Sequence, residues 1–259
     1  MKGLKSKVVL ISGGLGDIGL AIARRLQQEG CTVVLGDILE KDVDWLQSRF
    51  DAGALPDYVN LDVTNAQSWR QAFVHVLKQH GRCDVLVNNA GVISKESVPF
   101  SDISEAEWQR LFSINVNGTF LGTQAALRHM GKGDKWGAVV NMGSIAGFVG
   151  SEAGGSYGSS KGTISSMTRQ AALSAAKSGQ KVRVNAVHPG YVWTRLVDTT
   201  LIKQFGSEES AREAVRGMNP MNEIVSVEDV AAAVAFLASE EARMINGTAI
   251  VVDGGRLLQ

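Results

Sequence analysis

The sequence predicts an α/β protein with one domain over 1–259: a doubly wound parallel sheet, or Rossmann fold, with helices on both faces. Three observations predict it. Short, continuously apolar runs alternate with segments of helical periodicity, the pattern of strands buried on both faces. A glycine-rich turn, Ser12-Gly13-Gly14-Leu15-Gly16-Asp17-Ile18-Gly19, separates the first apolar run from the first helical segment. No repeat, linker or low-complexity tract divides the 259 residues, and one α/β unit of that length still grows a single core.

Taken in order, Val8 to Ser12 is a buried strand, and Ile18, Ala21, Ile22 and Leu26 mark a helix over 18–28. Cys31 to Gly36 is the second strand. Leu55 to Leu61 is a weaker third, since it contains a proline and a tyrosine. Trp69, Phe73, Val76 and Leu77 recur at helical spacing. Val85 to Val87 is a strand, and Phe112 to Leu127 a long amphipathic helix. The strands 138–141 and 182–187 flank a helix over 157–178. Val230 to Leu237 and Ala249 to Val252 complete the alternation as helix and strand. The stretch 195–226, with charges, Gly206, Gly217 and Pro220, reads as the least structured. A segment of that length inside a compact domain is commonly a functional lid, so it is expected to cover the substrate.

Composition narrows the function classes. Apolar content of 44% and charged content of 20% suit a globular protein. Twenty-six basic and 26 acidic residues cancel, so no nucleic-acid-binding surface is implied. Cys31 and Cys83 are far apart and read as buried thiols rather than a disulfide framework. No cysteine/histidine cluster suggests a metal, so none is expected. The run Val8 to Ile11 is too short for a signal or membrane segment, which makes the cytoplasm the expected location and a membrane no partner.

The glycine turn lets the backbone approach a pyrophosphate whose charge sits at a helix N-terminus. Its strand-turn-helix context is what the motif needs. Asp37 closes the second strand about twenty residues further on, where a carboxylate accepts from ribose hydroxyls and repels a 2′-phosphate. That favours NAD over NADP, although a cap or turn role would also suit Asp37. Asp62, in Leu61-Asp62-Val63-Thr64, can reach an adenine edge or close an Asx turn. Tyr157 and Lys161 are one helical turn apart if their segment is helical, which stacks them on one face. A tyrosine titrates near 10, about three units above neutrality, and a neighbouring cation stabilises its phenolate. Such a pair can exchange a proton with a substrate oxygen.

With Asn88-Asn89-Ala90-Gly91, Asn115, Ser144, Tyr157 with Lys161, and Pro189-Gly190 with Thr194 in this order, the chain resembles the short-chain dehydrogenase/reductase family over nearly its whole length. From Gly147 to Leu196 it is similar to bacterial secondary-alcohol and hydroxysteroid dehydrogenases of that family. The resemblance implies Tyr157 as general acid/base, Lys161 on the nicotinamide ribose and depressing the tyrosine's pKa, and Ser144 on the substrate oxygen. Asn115 would bind a water of the proton relay. NAD would be held by Gly13, Gly16, Asp17, Ile18, Gly19, Asp37, Asp62, Val63, Asn89, Ala90, Gly91, Pro189, Gly190, Val192 and Thr194, together with Tyr157 and Lys161. The implied activity is NAD-dependent oxidation of a secondary alcohol or reduction of a ketone. Reduction of a 3-oxoacyl thioester, oxidation of a sugar alcohol or diol, and a non-enzymatic sensor role are the alternatives.

One position departs from the family. Asp17 stands where glycine is usual, and an anion beside a pyrophosphate costs affinity unless it points away or caps the helix. The substrate wall is expected from Ser94 to Ser97, Ile145 to Ala153, Tyr191 and the 195–210 segment. Ile145, Phe148, Val149, Leu196, Val197, Leu201 and Phe205 make that wall apolar, which suits a neutral, hydrophobic alcohol or ketone. Arg195 could hold an acid group or lie on the surface. The family's habit, the apolar width of 227–238 and an edge strand at 249–252 together predict a homotetramer, with a dimer as the fallback.

Overall fold

The computed structural model describes residues 1–40, 42–50, 55–95, 97–131, 135–150, 154–196 and 198–259, apart from the side chains at 43 and 200. Its elements run β1 (Val8–Ser12), α1 (Asp17–Gln28), β2 (Thr32–Asp37), α2 (Val43–Gln47), β3 (Asp57–Asn60), α3 (Ala66–His80), β4 (Val85–Asn88) and α4 (Glu105–Leu111). They continue with α5 (Gly118–His129), β5 (Gly137–Met142), α6 (Gly155–Lys177), β6 (Val182–Pro189), α7 (Asp198–Phe205), α8 (Glu208–Met218), α9 (Val227–Ala238) and β7 (Ala249–Val252). The seven strands form one sheet in the order β3-β2-β1-β4-β5-β6-β7, every neighbouring pair parallel. The predicted doubly wound sheet is the observed one.

The strands are apolar throughout because alternate residues feed opposite cores. Val9, Ile11, Val33, Leu35, Val85, Val87 and Val140 pack with Leu20, Ile22 and Leu26 of α1 and with Val230, Val234 and Leu237 of α9. Val8, Leu10, Val34, Leu86, Val139 and Val184 pack on the other face with Trp69, Phe73 and Val76 of α3 and with Ala125, Ala126 and Ala172 from α5 and α6. Side chains close the helix starts: Asn65 accepts from Gln67 N at 2.8 Å and from Ser68 N at 3.3 Å, and Ser226 with Asp229 forms a capping box on α9.

Three sequence expectations change. Phe112 to Leu127 is not one α-helix: Phe112–Asn117 is wound as a π-helix between α4 and α5. The 195–226 stretch is not a loop, because α7 and α8 form a helical hairpin with its own small core of Leu201, Ala211 and Val215. The apolar width of α9 has an internal cause: it packs between α1 and the sheet, with Val230, Ala231, Val234, Ala235 and Leu237 all buried. The edge strand β7 is less covered, and Val251 is 39% exposed. Cys31 and Cys83 are buried free thiols. Among the described residues, no helix is long and apolar enough to cross a membrane.

Candidate active site

The glycine turn is shaped by contacts that only glycine allows. Gly13 has a φ of +63°, and a Cβ there would lie 2.7 Å from the Ala90 Cα. A Cβ on Gly19 would overlap the Gly13 carbonyl oxygen. Gly16 is different, since its nearest neighbour would be 3.4 Å away. Gly16 precedes α1 without any side-chain cap, so N–H groups of the first turn stay open to an anion. Asn89 ties the turn from the neighbouring strand end, donating to the Ser12 carbonyl at 3.2 Å and to the Gly13 carbonyl at 2.9 Å. The Asn89 and Ala90 N–H groups both donate to the Ser12 hydroxyl at 3.2 Å.

At the end of β2, the Asp37 carboxylate accepts from Leu15 N at 3.0 Å and from Leu39 N at 3.1 Å. It is fixed beside the glycine turn, where the ribose assignment needs it. Asp62 is in the Asx turn that its surroundings allowed, accepting from Thr64 N at 2.9 Å and from the Thr64 hydroxyl at 2.7 Å. Val63 is buried in the core beneath α5, and its carbonyl accepts from Trp69 Nε1 at 3.0 Å. Asp17 does not cap α1. Its carboxylate pairs with Arg195, accepting from Arg195 Nε at 2.7 Å. This turn, its uncapped helix start and the carboxylate at Asp37 fit a dinucleotide.

One cleft collects Ile18, Asn89, Gly91, Ser144, Tyr157, Lys161, Pro189, Gly190, Val192 and Thr194 from five separate regions of sequence. Tyr157 lies in the first turn of α6 and hydrogen-bonds Ser144, which follows β5. Lys161 is buried one turn later and donates to the Met142 carbonyl at 3.0 Å, with its ammonium 5.8 Å from the centre of the Tyr157 ring. The expected depression of the tyrosine is absent in this geometry. Burial raises the Tyr157 pKa, and the Ser144 hydrogen bond opposes it only in part. Burial pushes Lys161 down to about 8. Each group is shifted toward its neutral form.

Asn115 is fully buried in the π-helical segment. Its amide donates to the Val92 carbonyl and to the Ser160 hydroxyl, both at 3.0 Å, and its oxygen accepts from Val92 N at 2.9 Å. These bonds commit the side chain, so a relay water at Asn115 would not use them. They clamp the cleft wall at Val92 to α6 one residue before Lys161.

Two supporting residues escaped the sequence reading. His188 is buried behind Ser144: its Nδ1 lies 2.9 Å from the Ser144 carbonyl oxygen and 3.2 Å from Ser144 N, and its Nε2 is 3.1 Å from the Ser165 hydroxyl. Burial lowers its pKa, so a neutral ring buttresses the serine. Glu107 is held down to about 2 by its hydrogen bond with Arg110, despite burial. It accepts from Lys95 N at 2.6 Å and from the Ser94 hydroxyl at 3.2 Å, and Arg110 donates to the Ile93 carbonyl at 2.8 Å. That pair fixes the wall segment 93–95. A histidine at the end of β6 and acidic and basic residues at i,i+3 spacing were visible signals, but neither carries its partners in its spacing.

The apolar wall is partly as expected. Leu196, Val92, Ile93 and Met142 line the cleft, and Phe148, Val149 and Tyr191 are exposed. Leu201 instead packs inside the α7–α8 hairpin with Phe205 against it. Residues 151–153, Glu96 and Val197 lie outside the described residues.

Comparison with known proteins agrees with the fold. A family model described as "Enoyl-(Acyl carrier protein) reductase" matches residues 14–256. The chain is 37% identical to a cyclopentanol dehydrogenase of Comamonas testosteroni over 253 residues, 97% of each chain. It is 36% identical to an NADP-dependent (R)-specific alcohol dehydrogenase of Lentilactobacillus kefiri over 257 residues, 99% of this chain and 98% of that one. The ligand-free aldohexose dehydrogenase of Thermoplasma acidophilum superposes with a TM-score of 0.88 at 32% identity, covering 99% of this chain and 96% of that one.

The state of Lys161 makes a stability prediction. Its folded pKa, about 8, lies below the ordinary 10.5. Between those values the unfolded chain binds more protons, so stability rises with pH across that window. Below pH 8 the full cost of burying the ammonium is present. Lys161→Met should therefore stabilise the protein against urea by about 2–3 kcal/mol at pH 7. The gain should shrink toward zero by about pH 10.5. A pH-independent difference between the two proteins would contradict the assignment.

Proposed function

Because the chain belongs to the short-chain dehydrogenase/reductase family, we propose that it moves a hydride between NAD(H) and a secondary alcohol or ketone, fairly apolar and cyclic. The observation that carries this reading is the meeting of Tyr157, Ser144 and Lys161 on one cleft beside a glycine turn that fits a dinucleotide. When bound, the nicotinamide supplies the two-electron redox step. In oxidation, Tyr157 accepts the hydroxyl proton; in reduction it returns a proton to the carbonyl oxygen. Ser144 holds the same oxygen, steadied from behind by His188. Lys161 offers its ammonium to a ribose hydroxyl and favours the phenolate once its charge is retained. Thr194 and Pro189-Gly190 shape the nicotinamide end. The exposed side chains of Leu196, Phe148 and Val149 are a surface for an apolar ring, and the printed activity of the Comamonas relative, on cyclopentanol, supports that class.

NAD preference rests on Asp37, whose carboxylate at the end of β2 beside the glycine turn would repel a 2′-phosphate. The Lentilactobacillus relative is named as NADP-dependent, so family membership alone does not choose. A second reading, reduction of the ketone of a 3-oxoacyl thioester, is supported by a 34% identity over 257 residues to the 3-oxoacyl-[acyl-carrier-protein] reductase FabG of Thermotoga maritima. The assembly we propose is a homotetramer in which the edge strand β7, rather than α9, meets its copy; Val251 and Leu258 are the exposed apolar groups there.

Three measurements test these statements. With a cyclic secondary alcohol, kcat/KM should favour NAD over NADP by at least about tenfold, since a 2′-phosphate would meet the Asp37 carboxylate; parity or an NADP preference overturns the assignment. Activity confined to acyl-carrier-protein thioesters would replace the alcohol reading with the second one. Tyr157→Phe should lower kcat by about a thousandfold or more while leaving NADH affinity within a few fold, because the hydroxyl carries the proton and the ring fills the pocket. Light scattering at micromolar concentration should give about four times the 27.6 kDa chain mass; a monomer mass rejects assembly.

A further inference from the structure

The residue that departs from the family at the glycine turn is bonded to the far end of the chain. Asp17 Oδ2 accepts from the Arg195 backbone N–H and Oδ1 from Arg195 Nε, each at 2.7 Å. A second guanidinium nitrogen donates to the Leu15 carbonyl at 3.3 Å. The guanidinium also lies 5.3 Å from the centre of the Trp45 ring on α2, with Arg49 at 5.4 Å from the same ring. Arg195 sits between Thr194 and Leu196, which both line the cleft, and just before α7. One side chain thus joins the dinucleotide turn, α2 and the root of the α7–α8 hairpin.

We propose that Asp17 and Arg195 form a charge-cancelling latch: Arg195 removes the penalty of a carboxylate at the dinucleotide turn and at the same time pins the root of the hairpin over the cleft. The charge-cancelling role rests on the dinucleotide reading above. The physical reason is competition. The α1 N-terminus favours any anion, so an unpaired Asp17 would occupy the field that a diphosphate needs and would repel it. Paired through both oxygens, the carboxylate is held on Arg195 and its charge is matched locally. The two residues are 55% and 26% exposed, which limits the pair's worth to global stability. Its effect is therefore local, on the turn and on the hairpin.

The test compares wild type, Arg195→Ala, Asp17→Asn and the double variant by NADH titration at low ionic strength, and by limited proteolysis without nucleotide. Arg195→Ala should raise the NADH Kd about tenfold, the effect of one uncompensated charge near the diphosphate. Asp17→Asn alone should not weaken binding and should tighten it, because it leaves the Arg195 cation unpaired near the diphosphate, and the double variant should return to within about threefold of wild type. Unchanged affinity in Arg195→Ala overturns the charge role. So does a loss that persists in the double variant, which would make Arg195 a phosphate ligand. Without nucleotide, the α7–α8 hairpin should be cleaved faster in all three variants than in wild type, and equal rates overturn the latch. A wild-type chain that binds neither NADH nor NADPH overturns the dinucleotide reading and the charge role together, while the proteolysis arm still decides the latch.

Discussion

All seven strands point the same way, and the cleft is a consequence of that constraint. The chain winds outward from β1 in one direction to β2 and β3 and in the other from β4 to β7, so the connections diverge at the β1–β4 boundary and leave a crevice at the carboxyl ends. Many of the cleft residues lie within a few positions of a strand end, while Tyr157 and Lys161 come from α6. Gly13 follows β1, Asp37 closes β2, Asn89 to Gly91 follow β4, Ser144 follows β5, and Pro189-Gly190 closes β6. The two cores hold those ends in register, so the site inherits its geometry from packing on both faces of the sheet.

Within the crevice the electrostatics work against burial. Among the described residues Lys161 has no carboxylate partner and donates to the Met142 carbonyl, and Tyr157 has Ser144. Desolvation therefore dominates both groups and moves them toward neutrality. They are held in place by their neighbours: Asn115 bonds Ser160, His188 bonds Ser144, and a Cβ on Gly147 would lie 2.7 Å from the Gly162 nitrogen, so α6 is seated hard against the turn after β5. These neighbours are hydrogen-bonded, whereas Tyr157 and Lys161 are shifted toward their neutral forms by burial.

The fold was readable because parallel strands and amphipathic helices leave periodic traces, and each strand was located within a residue or two. The cleft residues were readable because their identity and spacing are unusual together. What escaped depends on long-range partners. Asp17 looked like a possible helix cap, and only the fold brings Arg195 to it from 178 residues away. Burial of Tyr157 itself raises its pKa where a lowering by Lys161 was expected, since desolvation has no signature in spacing. Leu201 and Phe205 were apolar for the sake of the hairpin's own packing, and nothing in the sequence separates that from a substrate wall. The hairpin itself hid because charged residues on α8 resemble a solvated loop when read without their neighbours.

The π-helical segment between α4 and α5 gives chain length a meaning of its own here. It accommodates Phe112–Asn117 with one residue more per turn than an α-helix would, and Asn115 is carried inward by that extra residue. Exchanging side chains cannot regularise the helix; only a deletion can. A deletion there would take Asn115 off the face that meets Val92 and Ser160, since each residue of an α-helix turns by about 100°. The wall segment from Val92 to Lys95 would lose that anchor and keep only those of Glu107 and Arg110. The interior clamp at Asn115 and the cleft wall before α4 are therefore coupled through a count of residues, and an insertion or deletion in this stretch would disturb both in a single step.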